Sequence, residues 1–206
     1  MNICVLGANG RVGSIILSDA LEAGYSVQAL VRNPTSILSH KPYRNIILGN
    51  VLNDADLDRA MAGTDIIISA LSTDGSSTLS QSMPKIIDKM EIHRIKRIIT
   101  IGTAGILQSR NEPNLYRFQS NESRNKSTLA TEDHLRAYLL LKQSNLDWTI
   151  VCPTYLPSGE KTGNYRYERD VLPLHGQSIS TSDTADFAIK QIHSKQFLKT
   201  RVGLAY

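Results

Sequence analysis

Short apolar runs alternate with stretches in which apolar residues recur every three or four positions, and this alternation continues along most of the chain. The apolar runs predict buried strands, which lie before Gly7 and at 26–31, 46–51, 65–71, 97–101 and 148–152. The periodic stretches predict helices at 12–21, 54–61, 79–93, 131–144 and 182–193. Strands that alternate with helices are typical of a parallel sheet covered on both faces. The pattern therefore predicts an α/β fold built on a doubly wound parallel sheet.

Three glycines occupy the turn between the first strand and the first helix, in the sequence Gly7-Ala8-Asn9-Gly10-Arg11-Val12-Gly13. A helix N-terminus after such a turn binds phosphate, because free N–H groups and the positive end of the helix dipole face the ligand. Gly7 would permit the sharp turn, Gly10 the close approach of a pyrophosphate, and Gly13 the tight packing of helix on strand. The spacing is G-x-x-G-x-x-G rather than G-x-G-x-x-G. With the strand that follows, the motif predicts a Rossmann-like dinucleotide site, the alternative being a turn that serves packing alone.

The end of the second predicted strand indicates which dinucleotide would bind. Sites for NAD place an Asp or Glu about 20 residues after the glycines, where it holds the ribose 2′-hydroxyl. Here Arg32 follows Gly13 by 19 residues and has no carboxylate beside it. A guanidinium pairs well with a phosphate, so Arg32 favours the 2′-phosphate of NADP. The alternative is a solvated arginine at the end of a strand.

Ligand groups of a doubly wound sheet collect outside the carboxyl ends of its strands. The residues at these ends are therefore the expected cofactor contacts: Gly7, Asn9, Gly10, Arg11, Val12, Arg32, Asn50, Val51, Ala70, Leu71, Ser72, Thr103 and Pro153. We predict one domain, 1–206, with a dinucleotide-binding core at 1–152 and a small irregular substrate-side region at 153–206. Within that region, 163–170 is compatible with a short strand and 201–205 with a last strand.

A polar stretch at 109–127 interrupts the alternation of strands and helices. It is too rich in Asn, Ser and Arg to form a core element. A loop of this length is either an ordered lid or a mobile loop. In either form it could close over the substrate end of the crevice.

Composition excludes several functional classes. The chain has 206 residues, of which 41% are hydrophobic and 20% charged, and a net charge of +4 falls far short of the basic stripe of a nucleic-acid binder. Cys4 and Cys152 lie in apolar strands and are expected to be core residues of a cytosolic protein. No apolar run approaches the ~18 residues of a membrane span, and the chain starts directly with a strand. We expect a cytoplasmic monomer or weak dimer without membrane or nucleic-acid partners.

Histidine spacing does not suggest a metal site. Metal-binding histidines recur at short, characteristic intervals. Four of the five histidines show no such spacing: His40, His93, His175 and His193. We therefore expect no metal.

Further motifs carry a resemblance to a known family. They are Leu-Val-Arg-Asn-Pro at 30–34, Gly-Asn-Val-Leu at 49–52, Leu-Asp-Trp-Thr-Ile-Val-Cys-Pro-Thr at 146–154, and 172–186. With the glycine motif they resemble the atypical, NmrA-like short-chain dehydrogenases/reductases, which bind NAD(P), over nearly the whole chain. The greatest likeness is to the flavin reductases, also called biliverdin-IXβ reductases, and lies at 132–136, 156–165, 179–180 and 203–206. The resemblance implies NADPH as cofactor and a flavin or linear tetrapyrrole as acceptor.

Tyr138 and Lys142 match the Tyr-x-x-x-Lys pair with which catalytic members of this superfamily protonate a carbonyl. Alignment on the sixth strand, however, places the family's tyrosine and lysine at Ala130 and His134, eight residues earlier. Eight helical residues span ~12 Å, which exceeds the ~3 Å reach of a proton donor. We therefore predict that Tyr138 packs beside apolar neighbours two turns from the nicotinamide and that Lys142 lies in solvent.

The resemblance places Thr103, His134 and Tyr155 near the nicotinamide as candidate catalytic residues. His134 matches a histidine of the flavin reductases, Thr103 a serine and Tyr155 a second histidine, although a helix-surface position is an equal alternative for His134. The implied function is an NADPH-dependent reductase that passes hydride to a planar aromatic acceptor: a flavin, bound as substrate rather than as cofactor, a linear tetrapyrrole or a quinone. Two alternatives stay open. One is a non-catalytic NADP-binding redox sensor, and the other is a carbonyl reductase or epimerase that uses Tyr138 and Lys142.

Overall fold

The computed structural model describes residues 1–34, 45–73, 75, 77–123 and 128–206. Its strands are β1 (Asn2–Leu6), β2 (Ser26–Val31), β3 (Ile46–Leu48), β4 (Ile66–Ser69), β5 (Arg97–Ile101), β6 (Asp147–Pro153), β7 (Arg166–Arg169) and β8 (Thr200–Ala205). Its α-helices are α1 (Gly13–Glu22), α2 (Asp54–Met61), α3 (Thr78–Ile92), α4 (Leu129–Gln143) and α5 (Thr181–Lys190). In the described part of the chain, no helix has the length and hydropathy needed to cross a membrane.

The strands form one sheet in the order β3-β2-β1-β4-β5-β6-β8-β7. Every neighbouring pair is parallel except β7 and β8, which pair antiparallel at one edge. The chain runs outward from β1 to β3 and then returns to β4 on the other side of β1. This reversal opens a crevice beyond the carboxyl ends of β1 and β4. The predicted doubly wound fold is confirmed.

Helices cover both faces of the sheet. Successive side chains of each strand point to opposite faces, so each face contributes to its own core. In β1, Ile3 and Val5 belong to the core that packs on α1 and α5, whereas Cys4 and Leu6 belong to the core that packs on α2, α3 and α4. All four side chains are fully buried. A parallel strand that is apolar at every position therefore has an apolar partner on each face.

The polar stretch that begins at Ser109 is ordered as far as the structure describes it. One carboxylate oxygen of Glu122 accepts hydrogen bonds from the Ser109 hydroxyl (2.7 Å) and from the backbone N–H groups of Arg110 (2.6 Å) and Asn111 (2.9 Å). A short 3-10 turn, Arg117–Gln119, lies inside the loop that these bonds close. Residues 124–127 of the stretch, like His40, lie outside the described residues.

Candidate cofactor site

The glycine turn is held together by contacts that a side chain would prevent. Gly7 has a φ of +80°, and a Cβ on it would lie 2.6 Å from the carbonyl oxygen of Ala70. A Cβ on Gly13 would lie 2.1 Å from the carbonyl oxygen of Gly7, far inside van der Waals contact. The N–H of Gly10 donates to the same oxygen (3.0 Å) and closes the turn. The structure thus requires glycine at positions 7 and 13 for the reasons the sequence suggested.

Beyond the carboxyl ends of β1 to β4 lies a cavity of about 360 Å³, a volume typical of small-molecule sites. Nine of the expected cofactor contacts line it: Gly7, Asn9, Gly10, Arg32, Asn50, Val51, Ala70, Leu71 and Ser72. Seven further residues line it that the sequence argument did not select: Ala8, Leu30, Val31, Asn33, Gly49, Leu52 and Thr78. Most of the seven are adjacent in sequence to an expected cofactor contact. The cavity follows the strand ends, as the fold requires.

Four expected contacts lie outside this lining: Arg11, Val12, Thr103 and Pro153. Val12 is buried in the core below α1, and Pro153 is the buried last residue of β6. The Arg11 guanidinium turns away from the cavity and donates to the carbonyl oxygen of Leu156 (2.8 Å). Arg11 thereby joins the glycine turn to the segment that follows β6.

Hydrogen bonds of two side chains hold together the segments that line the cavity. The Asn9 amide donates to the carbonyl oxygen of Asn33 (2.6 Å), which connects the glycine turn to the end of β2. The Asp56 carboxylate accepts the N–H of Asn50 (2.8 Å) and pairs with Arg59 (2.6 Å). Neither support was foreseen from the sequence, because both depend on contacts between segments that only the fold brings together.

The amino end of α4 lies beside the turn after β5. A Cβ on Gly105 would lie 2.6 Å from Cγ2 of Thr131, so helix and turn are in direct contact. Thr103 begins this turn, and its hydroxyl oxygen accepts the N–H of Gly105 (3.4 Å). His134 lies one helical turn beyond Thr131. Thr103 and His134 are thus brought to the same edge of the sheet as the cavity.

Burial is the main influence on His134. Desolvation lowers its pKa to about 4, although the neighbouring Asp133 carboxylate acts to raise it. The imidazole is therefore neutral at pH 7 and carries one N–H donor. Within the described part of the chain it makes no side-chain hydrogen bond, which leaves that donor available to a ligand.

Asp133 is a structural residue that the sequence argument did not identify. It is fully buried, and its carboxylate accepts the N–H groups of Leu79 (2.9 Å) and Ser80 (3.0 Å), together with the Ser80 hydroxyl. A carboxylate here caps α3 from a neighbouring helix and compensates the positive end of the α3 dipole. Because α3 begins at Thr78, a residue of the cavity lining, Asp133 fixes the position of His134 relative to the cavity.

The Tyr155 ring stands apart from these groups. It is 73% exposed, and the residue does not line the cavity. Its carbonyl oxygen accepts the N–H of Ile179 (3.0 Å), which positions the backbone but leaves the side chain at the surface. Of the three candidate catalytic residues, Thr103 and His134 are half-buried, whereas Tyr155 is exposed.

Tyr138 and Lys142 lie at the opposite edge of the sheet. The Tyr138 ring is 5% exposed and packs edge-on against Trp148, with centroids 5.8 Å apart, and the Arg201 guanidinium lies 4.6 Å from its centroid. Trp148 is the second residue of β6, so this cluster is at the amino end of the strand, whereas the cavity is at the carboxyl ends. Burial raises the pKa of Tyr138, although Arg201 acts to lower it. Lys142 is exposed, and the arginine among the aromatic rings was not expected.

Comparison with known sequences fits this geometry. The sequence profile of the NAD(P)H-binding family matches residues 7–195, beginning at the first glycine of the turn and covering most of the chain. The chain belongs to the NAD(P)H-binding family. The matched region includes all three glycines of the turn and every residue that lines the cavity at the reversal of strand order.

Solved structures of similar shape come from several bacteria. A candidate epimerase from Bacteroides thetaiotaomicron is 27% identical with a TM-score of 0.84, covering 100% of this chain and 96% of its own. A candidate NADH-flavin reductase from Streptococcus pneumoniae is 24% identical with a TM-score of 0.84, at coverages of 100% and 99%. The anaerobilin reductase ChuY from Escherichia coli O157:H7 is 21% identical with a TM-score of 0.82, at coverages of 100% and 97%. Because the flavin reductase and ChuY are less than 25% identical to this chain, these two comparisons show only that the fold is shared.

The depressed pKa of His134 predicts a specific loss of stability in mild acid. In the unfolded chain the imidazole binds a proton near pH 6.5, whereas in the folded protein it does so near pH 4. Between these values the unfolded state holds more protons, so the free energy of unfolding falls as the pH falls. We expect the urea midpoint to drop further from pH 7 to pH 5 in the wild type than in His134→Gln, which keeps a polar side chain but does not titrate. Equal drops would contradict a buried, neutral His134.

Proposed function

We propose that this protein is an NADPH-dependent reductase that passes hydride to a planar aromatic acceptor, with a flavin as the leading candidate. One observation carries the proposal: Tyr138 and Lys142 lie at the amino end of β6, away from the cavity. From Trp148 to Pro153 the strand spans ~16 Å. The proton-donating pair that carbonyl reduction needs is therefore out of reach of a nicotinamide at the other edge.

Arg32 supports NADPH rather than NADH as the cofactor. Its exposed side chain stands at the end of β2 and lines the cavity together with Asn9 and Asn33. An arginine in this position would pair with a 2′-phosphate, and none of the described residues that line the cavity is an Asp or Glu that could hold a 2′-hydroxyl. The cofactor would supply the hydride, and the glycine turn would hold its phosphates.

The side chains expected near the acceptor support a reaction that needs little acid–base catalysis from the protein. Thr103 and the neutral His134 offer hydrogen-bond donors but no charged acid. A flavin takes hydride directly and draws its proton from solvent or a weak donor, so the protein must mainly hold two planar rings together. In this proposal Thr103 and His134 orient the acceptor. Two of the structural neighbours bear the names of flavin and bilin reductases, which agrees with this class of acceptor.

Steady-state oxidation of NADPH by the purified protein with FMN or riboflavin tests the proposal. We expect turnover in the wild type and a roughly tenfold loss in His134→Ala, the size of a positioning or weak-donor effect. Tyr138→Phe is the matched control on the same helix, because it keeps the buried ring and removes only the hydroxyl. Its turnover should stay within about threefold of wild type.

Two results would oppose the proposal and would point to different alternatives. A loss of a hundredfold or more in Tyr138→Phe would indicate carbonyl chemistry that uses Tyr138 and Lys142. Tight binding of NADPH without turnover of flavins, tetrapyrroles or quinones would indicate a redox sensor instead.

A further inference from the structure

A second cavity, of about 400 Å³, opens at the amino edge of the sheet. It is lined by Tyr138, Lys142, Trp148, Asp170, Lys199 and Arg201. The first three come from the last turns of α4 and the start of β6, Asp170 directly follows the antiparallel β7, and Lys199 and Arg201 lie just before and at the start of β8. None of them lines the cofactor cavity, so the two sites are separate. The volume is again in the range of small-molecule sites.

The charges of this cavity are not balanced by the protein. Its one lining carboxylate, Asp170, accepts a hydrogen bond from Nε of the buried Arg201 (3.0 Å). Lys142 and Lys199 are exposed at the rim, and neither forms an ion pair with the described residues. The lining therefore carries three cationic side chains and one carboxylate, and this net positive charge attracts an anion.

The inner wall of the cavity is aromatic. Tyr138 and Trp148 meet edge to face at 74°, and both side chains are largely buried. The Tyr138 hydroxyl makes no hydrogen bond to the described residues and remains a donor for a ligand. The edges of these two rings that reach the cavity, together with the cations at the rim, fit a ligand that has a flat apolar body and a negatively charged end.

The backbone holds two lining residues in an unfavourable conformation. Asp170 and Lys199 have φ values of 57° and 53°, a region that residues other than glycine rarely adopt. The N–H of Lys199 donates to the carbonyl oxygen of Trp148 (2.7 Å), and the N–H of Asp170 to that of Arg201 (2.7 Å). These bonds fix Lys199 and Asp170 at the rim of the cavity. Conformations of this kind are concentrated at binding sites, where the surroundings maintain them.

We propose that this second cavity binds a small aromatic carboxylate, with its carboxylate between Lys142 and Lys199 and its ring against Tyr138 and Trp148. Two ammonium groups suit a carboxylate at the rim, and the wall behind them suits a ring rather than an inorganic ion alone. The site lies ~16 Å along β6 from the cofactor edge, so its ligand does not compete with the dinucleotide.

Trp148 is the chain's one tryptophan, so its fluorescence reports on this cavity directly. Titration with benzoate, in the presence of saturating NADP⁺, should change the emission in a saturable manner. Benzyl alcohol, which has the ring without the charge, and inorganic phosphate, which has charge without a ring, should each bind at least tenfold more weakly. A response to phosphate equal to that of benzoate, or no saturable response to benzoate, would overturn the proposal.

Variants locate the binding to these residues. Lys142→Ala and Lys199→Gly should each weaken benzoate binding about tenfold, and glycine at position 199 keeps the left-handed backbone without strain. Lys195→Ala removes an exposed lysine that does not line the cavity and should leave the affinity unchanged. Benzoate binding that survives both cavity substitutions at wild-type affinity would contradict the assignment.

Discussion

An Arg32→Asp variant is expected to lose the preference for NADPH, with the ratio of NADPH to NADH affinity falling by about a hundredfold or more. A guanidinium and a phosphate ~4 Å apart attract by about 4 kcal/mol at an effective dielectric of 20, before desolvation and salt reduce the effect. The substitution removes that attraction and adds a repulsion between Asp and the phosphate. It also introduces the carboxylate with which NAD sites hold a 2′-hydroxyl.

Calorimetric titration with NADP⁺ and NAD⁺ measures this ratio directly. Arg32→Gln is the matched control, because it removes the attraction without adding repulsion and should give an intermediate ratio. A wild-type protein that binds both cofactors equally would show that Arg32 does not contact a 2′-phosphate.

A Gly13→Ala variant is expected to bind NADPH at least a hundredfold more weakly and to unfold at a lower temperature. The new Cβ would lie 2.1 Å from the carbonyl oxygen of Gly7, which is a backbone atom and cannot rotate away, so α1 must move away from the turn after β1. Overpacking of this kind costs about 1–3 kcal/mol of stability, and the displaced turn no longer presents its N–H groups to a phosphate.

Gly24→Ala, just past the other end of α1, separates this effect from a general loss of stability. Gly24 has a φ of +82°, but a Cβ there would meet nothing within 4 Å. The variant should lose stability through backbone strain and keep its cofactor affinity. Thermal denaturation and calorimetry on the two variants make the comparison, and an unchanged affinity in Gly13→Ala would refute the structural role assigned to that glycine.

The fold was predictable because its signals are local. Every residue of β1 is apolar after Asn2, and the glycine turn and helix that follow are defined within about 20 residues. Both faces of a parallel sheet must be buried, and the helices between the strands bury them. The alternation of strands and helices in the sequence therefore predicts the sheet directly. The same logic located most of the cofactor cavity, because its lining follows the strand ends in order.

The parts that could not be predicted depend on contacts between distant segments. Asp133 caps a helix 54 residues away, and Arg11 reaches the carbonyl of Leu156, 145 residues away. Nothing near either residue in the sequence indicates its partner. The second cavity has the same origin, because it combines an α-helix end with the starts of two strands. Tyr138 differs from these cases. Its offset of eight residues along the helix from the family's tyrosine position was enough to predict that it lies far from the cofactor cavity.

The buried carboxylate of Asp133 has a consequence for substitutions in the loop before α4. It joins α4 to the first turn of α3 through a contact that does not involve the connection from 107 to 128. A substitution in that connection therefore leaves this link between α4 and the cofactor cavity in place.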